Sequence, residues 1–173
     1  IELMKTYIKI FALLKCLITS LHSFAYDFSA VNDDGVTIYY NILSKDKKTC
    51  EVKYKTQSNP GYTGSVNIPS SVTYSGTTYS VTSIGSLAFS RCFGLTSVTI
   101  PNSVTSIKNN AFFYSKELTS ITIPNSVISI SYRAFIGCSG LTSITLSNSV
   151  NSIGDDAFYG CSGLTSISIP NSV

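Results

Sequence analysis

The residues of this chain that could carry out catalysis are few and are scattered along the sequence. His22 is the only histidine, and it lies in an apolar N-terminal stretch that we predict is removed on export. Without histidine, the remaining chain cannot form Ser-His-Asp or Cys-His catalytic groups or the usual histidine-containing zinc sites. We therefore predict a non-catalytic protein with no cofactor and no bound metal.

Two pairs of neighbouring aspartates are the obvious candidates for a metal site, and both are better explained as turn residues. Asp33-Asp34 falls in a predicted hairpin turn, where aspartate bonds to the local backbone. Asp155-Asp156 occupies repeat positions that hold unrelated residues in other units, which indicates a solvent-facing site. The spaced acidic pattern of a calcium loop is absent, so no calcium role is expected for either pair.

Four cysteines follow the N-terminal stretch, and three of them share one position of a 23-residue repeat. They are Cys50, Cys92, Cys138 and Cys161, and one unit has Ser115 at the shared position. No Cys-x-x-Cys occurs, which argues against zinc. Stacked copies would lie about 5 Å apart, close enough for a disulfide, but parallel side chains of a ladder seldom offer the required dihedral angle. We therefore expect free, buried thiols.

The elements that must position these residues are copies of the same 23-residue unit. Ala-Phe pairs begin at Ala88, Ala111, Ala134 and Ala157, and the last unit is unfinished. A fixed period of this length indicates a solenoid, in which each unit packs against its neighbours. Alternating apolar and hydroxyl residues after a leucine predict a half-buried strand in each unit. The strands predicted to form one parallel sheet are residues 97–100, 120–123, 143–146 and 166–169.

Other columns of the repeat predict core and turn positions. The phenylalanines at one position are predicted to be buried and stacked on one another; they are Phe89, Phe112, Phe135 and Phe158. A second apolar pair, Val104 and Ile107 in the first unit, has a spacing of three that fits a short strand with a bend or a 3₁₀ turn.

Glycines precede the strand leucine in three units, at Gly94, Gly140 and Gly163, and Glu117 takes this position in the remaining unit. Glycine adopts positive φ freely and glutamate does not. We predict positive φ at the three glycines, with strain or a different turn at Glu117.

The chain divides into three predicted parts. Residues 1–25 have lysines, an apolar stretch and small residues before Tyr26, which indicates a signal peptide; a membrane anchor is the alternative. Residues 26–79 are predicted to form a cap and a first irregular repeat, with a hairpin of strands 36–42 and 49–54. Residues 80–173 form the regular array, which stops short of a full unit, so we expect the chain to be a fragment.

Charge excludes one class of partner. The sequence has 12 Lys and Arg against 9 Asp and Glu, a formal net charge of +3, with no run of like charges. Nucleic-acid binding requires clustered cations that neutralise phosphates, so we predict no nucleic-acid partner. Contact with a membrane is expected only through export.

The repeat motif resembles the BspA-type leucine-rich repeat of bacterial, and some protist, surface proteins. The resemblance is carried by Leu-x-x-Ile-x-Ile-Pro-Asn-Ser-Val-x-x-Ile followed by Ala-Phe-x-x-Cys-x-Gly-Leu, over residues 80–173. It implies a mainly β fold: a parallel β-solenoid with short 3₁₀ or helical turns and an N-terminal β-hairpin cap. It also implies a secreted or cell-surface protein for protein binding or adhesion. Asn125 comes one place earlier than the usual asparagine, so the standard asparagine ladder is not expected.

Two surfaces are candidates for partner binding. Ser120 and Thr122 project from the strand face, which offers little beyond hydroxyls. Aromatic and cationic residues, which usually anchor interfaces, are predicted on the turns; they are Arg91, Phe93, Tyr114, Lys116, Tyr132 and Arg133. We favour the turns, with host or neighbouring-cell surface proteins, or glycans, as partners. The alternatives are a structural spacer that presents a downstream domain and an enzyme with an atypical site.

Overall fold

The computed structural model describes residues 26–54 and 61–173, which form strands joined by turns. The predicted signal peptide, with His22, lies outside the described residues. The strands in chain order are β1 Phe28–Val31, β2 Thr37–Ser44, β3 Thr49–Lys53, β4 Thr63–Asn67, β5 Ser71–Tyr74, β6 Thr77–Ile84, β7 Gly94–Thr99, β8 Ser106–Ile107, β9 Ser120–Thr122, β10 Ser129–Ile130, β11 Ser143–Thr145 and β12 Ser152–Ile153.

Two sheets form the walls of the solenoid. The smaller sheet has the order β11-β9-β7-β4, and all its strands are parallel. The larger has the order β1-β2-β3-β6-β8-β10-β12, with β5 beside β6. Equivalent residues pair from unit to unit, such as Ser97 with Ser120 and Ser120 with Ser143. Apolar side chains from both sheets form one core, which confirms the predicted mainly β, parallel solenoid.

The N-terminal hairpin joins the array through its second strand. Strands β2 and β3 are antiparallel, as predicted, and β3 then pairs in parallel with β6. A second hairpin, β5–β6, turns at Ser75 and Gly76, whose φ angles are +48° and +76°. Positive φ at both central residues is the requirement of a type I′ turn, which matches the twist of the flanking strands.

The phenylalanine column forms a continuous stack through the core. Neighbouring rings from Phe89 to Phe158 have centroids 5.0, 4.9 and 5.4 Å apart and planes within 7° of parallel. The Tyr62 ring packs against the end of this stack, 4.9 Å from Phe89 and tilted by 48°. Phe89, Phe112 and Phe135 are fully buried, as predicted. Phe158 is only partly buried, because the described chain offers it a neighbouring ring on one side alone.

One of the four predicted strands is missing from the parallel sheet, whose four strands include β4 instead. Residues 97–100 overlap strand β7, and residues 120–123 and 143–146 contain β9 and β11, but residues 166–169 form no strand. This prediction was wrong for the last unit, where Ile169 is 48% exposed. Within the described chain, that segment has a neighbouring repeat on one side only, and an edge segment has fewer backbone partners to hold it extended. Of the second apolar pair, Ile107 lies in the two-residue strand β8, and Val104 precedes that strand.

The predicted 3₁₀ or helical turns are absent from residues 26–54 and 61–173. Each unit instead has successive four-residue turns, closed in the first unit by Ala88 N–H to Gly85 O and Ser90 N–H to Leu87 O. Leu87 and Arg91 have φ of +62° and +53°. A residue in the left-handed region cannot continue a right-handed helix, and it suits the third position of a type II turn.

The predicted positive φ at Gly94, Gly140 and Gly163 was also wrong. None of these glycines, nor Glu117, is in the left-handed region. A Cβ at Gly140 would lie 2.3 Å from the carbonyl oxygen of Lys116, and one at Gly163 would lie 2.7 Å from that of Ser139. At Gly140 and Gly163, glycine therefore permits close approach of the preceding repeat rather than an unusual φ.

One ion pair ties the cap to the array. Lys108 Nζ lies 2.6 Å from Glu51 Oε2, and the side chains are 37% and 10% exposed. Glu51 belongs to β3 of the hairpin, whereas Lys108 follows β8 of the first regular unit. A buried carboxylate requires a partner, so this contact fixes how the cap meets the repeats.

The four described cysteines are free and buried, which confirms the prediction. The thiols of Cys138 and Cys161 donate to the carbonyl oxygens of Phe112 and Phe135, at 3.0 and 3.1 Å. Ser115 Oγ, at the same repeat position, donates in the same way to Phe89 O. The column therefore links each unit to the one before it, and a hydroxyl serves as well as a thiol.

We predict that the protein loses stability in alkali. Burial raises the pKa of Cys161 to about 11 and that of Cys50 to about 12, from a usual value near 9. The folded state holds the protons of these thiols more tightly than the unfolded state does. Their contribution to the free energy of unfolding is therefore fully present below about pH 9 and is lost as the pH rises towards 12. Urea unfolding midpoints should be constant from pH 7 to 9 and fall above pH 9.

The Cys161→Ser variant is the matched control, since serine takes this position in another unit and does not titrate in this range. Its midpoint should fall less steeply with pH than that of the parent. Equal slopes for the two proteins would contradict an origin of the effect in the Cys161 thiol.

Candidate functional site

The strand face is a polar groove of about 770 Å³ over the four-stranded sheet. Ser120 and Thr122 both point outward and are exposed, while Ile121 between them is buried. The groove is lined mainly by hydroxyl and amide side chains, among them Asn102, Asn125 and Asn148, and none of the described residues in its lining is charged or aromatic. It can offer hydrogen bonds, but it lacks the groups that usually anchor a protein partner.

Serine, rather than asparagine, bonds to the backbone after the strand segment in two of the units. Ser126 Oγ donates to Val104 O at 2.6 Å, and Ser172 Oγ donates to Val150 O. Asn125 is exposed at the groove. The asparagine therefore remains on the surface, where a ligand could reach its amide.

A second depression, of about 550 Å³, lies on the turn side of the solenoid. We call it the turn depression, and its lining residues are Tyr54, Leu87, Ser90, Arg91, Asn110, Phe113 and Arg133. Its volume is within the range of about 300–1,000 Å³ that is typical of ligand pockets. It combines two guanidinium groups with apolar and aromatic side chains, and no guanidinium lies among the described residues that line the strand groove.

The two arginines of the depression are held in different ways. Arg91 Cζ lies 5.7 Å from the centroid of the Phe113 ring, a cation–π distance. Arg133 Cζ lies 4.6 Å from the centroid of the Tyr132 ring, and Arg133 Nε donates to Asp156 Oδ2 at 3.1 Å. Stacking on aromatic rings restricts both guanidinium groups, so less conformational entropy is lost when they bind.

The other candidate residues lie on the same turns but outside the lining of the depression. Tyr114 is 41% exposed, and a Cβ added at Gly137 would lie 3.0 Å from its ring. Lys116 Nζ is 5.8 Å from the centroid of the Tyr114 ring. Phe93 is 54% exposed. The turns thus carry an aromatic and cationic surface, with Arg91 and Arg133 brought together in its one described depression.

Sequence reasoning missed Tyr54, Leu87 and Phe113. Phe113 could have been found from the repeat spacing, since it directly follows the column phenylalanine in a unit rich in aromatic residues. Tyr54 directly follows strand β3 of the N-terminal hairpin, and its approach to the array depends on the β3–β6 pairing rather than on any local pattern.

The backbone of the turns explains how such different side chains are carried at equivalent positions. Three main-chain bonds join each turn to the next; in the first unit they run from Leu87, Phe89 and Arg91 N–H to carbonyls of the second. Two positions per turn have positive φ: Leu87, Asn110, Arg133 and Asp156 at one, and Arg91, Tyr114, Gly137 and Gly160 at the other. Because no side chain takes part in these bonds, the side chains at these positions can differ.

Two findings concern only residues 26–54 and 61–173. In them, no group of three or more His, Cys, Asp or Glu side chains is arranged to hold a metal ion. No helix in these ranges is long and apolar enough to cross a membrane.

Parallel strands, one from each stacked unit, and a leucine at the entry to each strand define a leucine-rich-repeat solenoid. Residues 64–173 match the BspA type leucine rich repeat region in six copies. The chain belongs to the BspA-type leucine-rich repeat family, whose repeats are generally non-catalytic. A search of curated protein sequences found no significant match.

Solved structures of bacterial proteins share the fold. A leucine-rich repeat protein from Bacteroides ovatus is 40% identical, with a TM-score of 0.73 over 86% of this chain and 36% of its own. A leucine rich cell surface protein from Faecalibacterium prausnitzii is 31% identical, with a TM-score of 0.67 over 86% and 38%. The T. pallidum leucine rich repeat protein is 29% identical, with a TM-score of 0.67 over 79% and 59%. The chain thus spans under two-fifths of the length of the first two.

Proposed function

We propose that this chain is a non-catalytic binding module of a secreted or cell-surface protein, which attaches to surface proteins of a host or a neighbouring cell through its turns. The observation that carries the proposal is the turn depression, whose lining combines Arg91 and Arg133 with the apolar side chains of Leu87 and Phe113. Arginine and aromatic residues supply most of the binding energy in protein interfaces. The turns are therefore better suited to a protein partner than the strand face.

A surface location is supported by the family. The similar F. prausnitzii protein is described as a cell surface protein, and this chain is similar to it over most of its length. A solenoid presents a long, regular surface at low cost in chain length, which suits the display of a binding face.

Two variants separate the turns from the strand face. The Tyr114→Ala/Lys116→Ala/Arg133→Ala variant should lower binding to immobilised matrix proteins or partner cells by about tenfold or more, because it removes exposed aromatic and cationic groups. Thr122→Lys places a bulky charge in the middle of the strand face and should leave binding within about twofold. Surface plasmon resonance and cell-attachment counts measure both.

The opposite outcomes have definite meanings. Loss only with Thr122→Lys would assign binding to the strand face. Unchanged binding in both variants, with native circular dichroism and melting temperature, would favour a spacer role for the segment.

A further inference from the structure

The turn depression has a chemistry that specifies more than a generic protein surface. We propose that the space between Arg91 and Arg133 receives an acidic peptide segment of the partner, with a carboxylate against the guanidinium groups and an adjacent apolar side chain against Leu87 and Phe113. This inference rests on the proposed function, and it names the partner chemistry that the depression would recognise.

The charges of the depression favour a carboxylate. In the described part of the chain, Arg91 forms no ion pair, and its guanidinium is held over Phe113. Arg133 uses Nε for Asp156, which leaves its terminal nitrogens able to donate, and its side chain is 41% exposed. Among the described residues that line the depression, none is acidic. Guanidinium groups bind carboxylates through paired, charge-assisted hydrogen bonds.

The remaining lining favours an apolar neighbour to that carboxylate. Leu87 is 41% exposed at the edge of the depression, and Phe113 and Tyr54 are half-buried in its wall. Leu87 has a φ of +62°, which is uncommon for a residue other than glycine, so the turn holds this aliphatic side chain outward. An apolar partner side chain would remove Leu87 and the face of Phe113 from water.

A peptide fits this lining better than an acidic sugar does. A sugar acid brings several hydroxyls that each need a hydrogen-bond partner on burial. Apart from the arginines and Tyr54, the polar side chains that the described residues contribute to the lining are Ser90, which is buried, and Asn110. An acidic and apolar pair of peptide side chains needs few neutral donors and acceptors.

The test is selection of peptides by the purified protein from a random 12-residue display library. Peptides enriched by the parent should carry Asp or Glu beside an apolar residue, and should bind at least tenfold more weakly to the Arg91→Gln/Arg133→Gln variant. The matched control is Lys45→Gln/Lys47→Gln, which removes two exposed charges from the cap turn and should bind within twofold of the parent. Raising NaCl from 50 to 500 mM should weaken binding severalfold, as ion pairing requires.

Several results would overturn the inference. The first is enrichment of peptides without acidic residues, and the second is failure to enrich any peptide. The third is equal binding of the selected peptides by the Arg91→Gln/Arg133→Gln variant and the Lys45→Gln/Lys47→Gln control. Retention of sialic-acid or uronic-acid glycans on an array, without acidic peptides, would replace the peptide by a glycan. If the parent binds matrix proteins and the arginine variant binds them equally, the inference fails while the proposed function stands. If the parent binds no surface protein at all, the proposed function fails as well.

Discussion

Replacing Phe112 by alanine is expected to lower the free energy of unfolding by about 3–5 kcal/mol, the usual cost of removing a fully buried phenylalanine. The ring is fully buried and stacked between Phe89 and Phe135, at centroid distances of 5.0 and 4.9 Å. Its removal would leave a cavity in the middle of the ladder that neighbouring units cannot fill without breaking their own register. Guanidinium-induced unfolding followed by circular dichroism measures the change.

Phe158→Ala is the matched control for this prediction. The same residue type lies at the same repeat position, but Phe158 is only partly buried and has one described ring neighbour, 5.4 Å away. Its loss should cost clearly less, about 1–2 kcal/mol, because less apolar area is involved. Equal costs at the two positions would contradict the argument that full burial between two rings sets the cost at Phe112.

Lys108→Met is expected to destabilise the protein by about 2 kcal/mol, because it leaves the Glu51 carboxylate buried without its cation. Glu51 is 10% exposed in its side chain and lies 2.6 Å from Lys108 Nζ. Breaking a fully buried pair costs about 3–5 kcal/mol, and the 37% exposure of Lys108 reduces that figure. Urea unfolding at pH 7 and low salt measures the effect.

The double variant Glu51→Gln/Lys108→Met tests the mechanism. In Lys108→Met alone, the stability is lost because the Glu51 charge is buried without a partner. Replacing that charge by a neutral amide should therefore recover part of the lost stability. Lys47→Met, at an exposed position of the cap turn, should change the stability by less than about 0.5 kcal/mol. A double variant that is less stable than Lys108→Met alone would contradict this explanation.

Most of the fold follows from the sequence because the repeat spacing identifies both the local strands and the residues that contact each other between units. Each position stacks on its own copy, so the spacing between Phe112 and Phe135 gives a tertiary contact directly. The period-two pattern around Ile121 likewise gives both the strand and its buried face. The wrong predictions concern residues 166–169 and the turns, where backbone contacts with neighbouring units determine the conformation.

The glycine error has a specific origin. Sequence alone shows that glycine is favoured at Gly140, but not whether the reason is its φ or its lack of a side chain. The Lys116 carbonyl oxygen would lie 2.3 Å from an added Cβ, so the reason is the lack of a side chain. The residues with positive φ include Arg91 and Tyr114, which no propensity rule would place in the left-handed region. They are held there by main-chain bonds to the next turn.

The candidate site was predictable only in part for a related reason. Residue type identified Arg91 and Arg133, since arginine is favoured at interfaces. Their meeting in one depression depends on the handedness of two turns, and Tyr54 reaches it through the pairing of β3 with β6. Neither property is encoded in a short stretch of sequence.

Main-chain bonds, which involve no side chains, hold successive turns together, so the surface residues of the turns can change while the scaffold stays intact. Two outward positions in each unit, such as Asn110 and Tyr114, can accept new side chains without loss of a single inter-turn bond. Exchanging the order of whole units would then move charged and aromatic groups along the molecule in fixed steps of one strand spacing, about 4.8 Å. One scaffold of this kind can present many different recognition surfaces, each obtained by recombining units rather than by redesigning a fold.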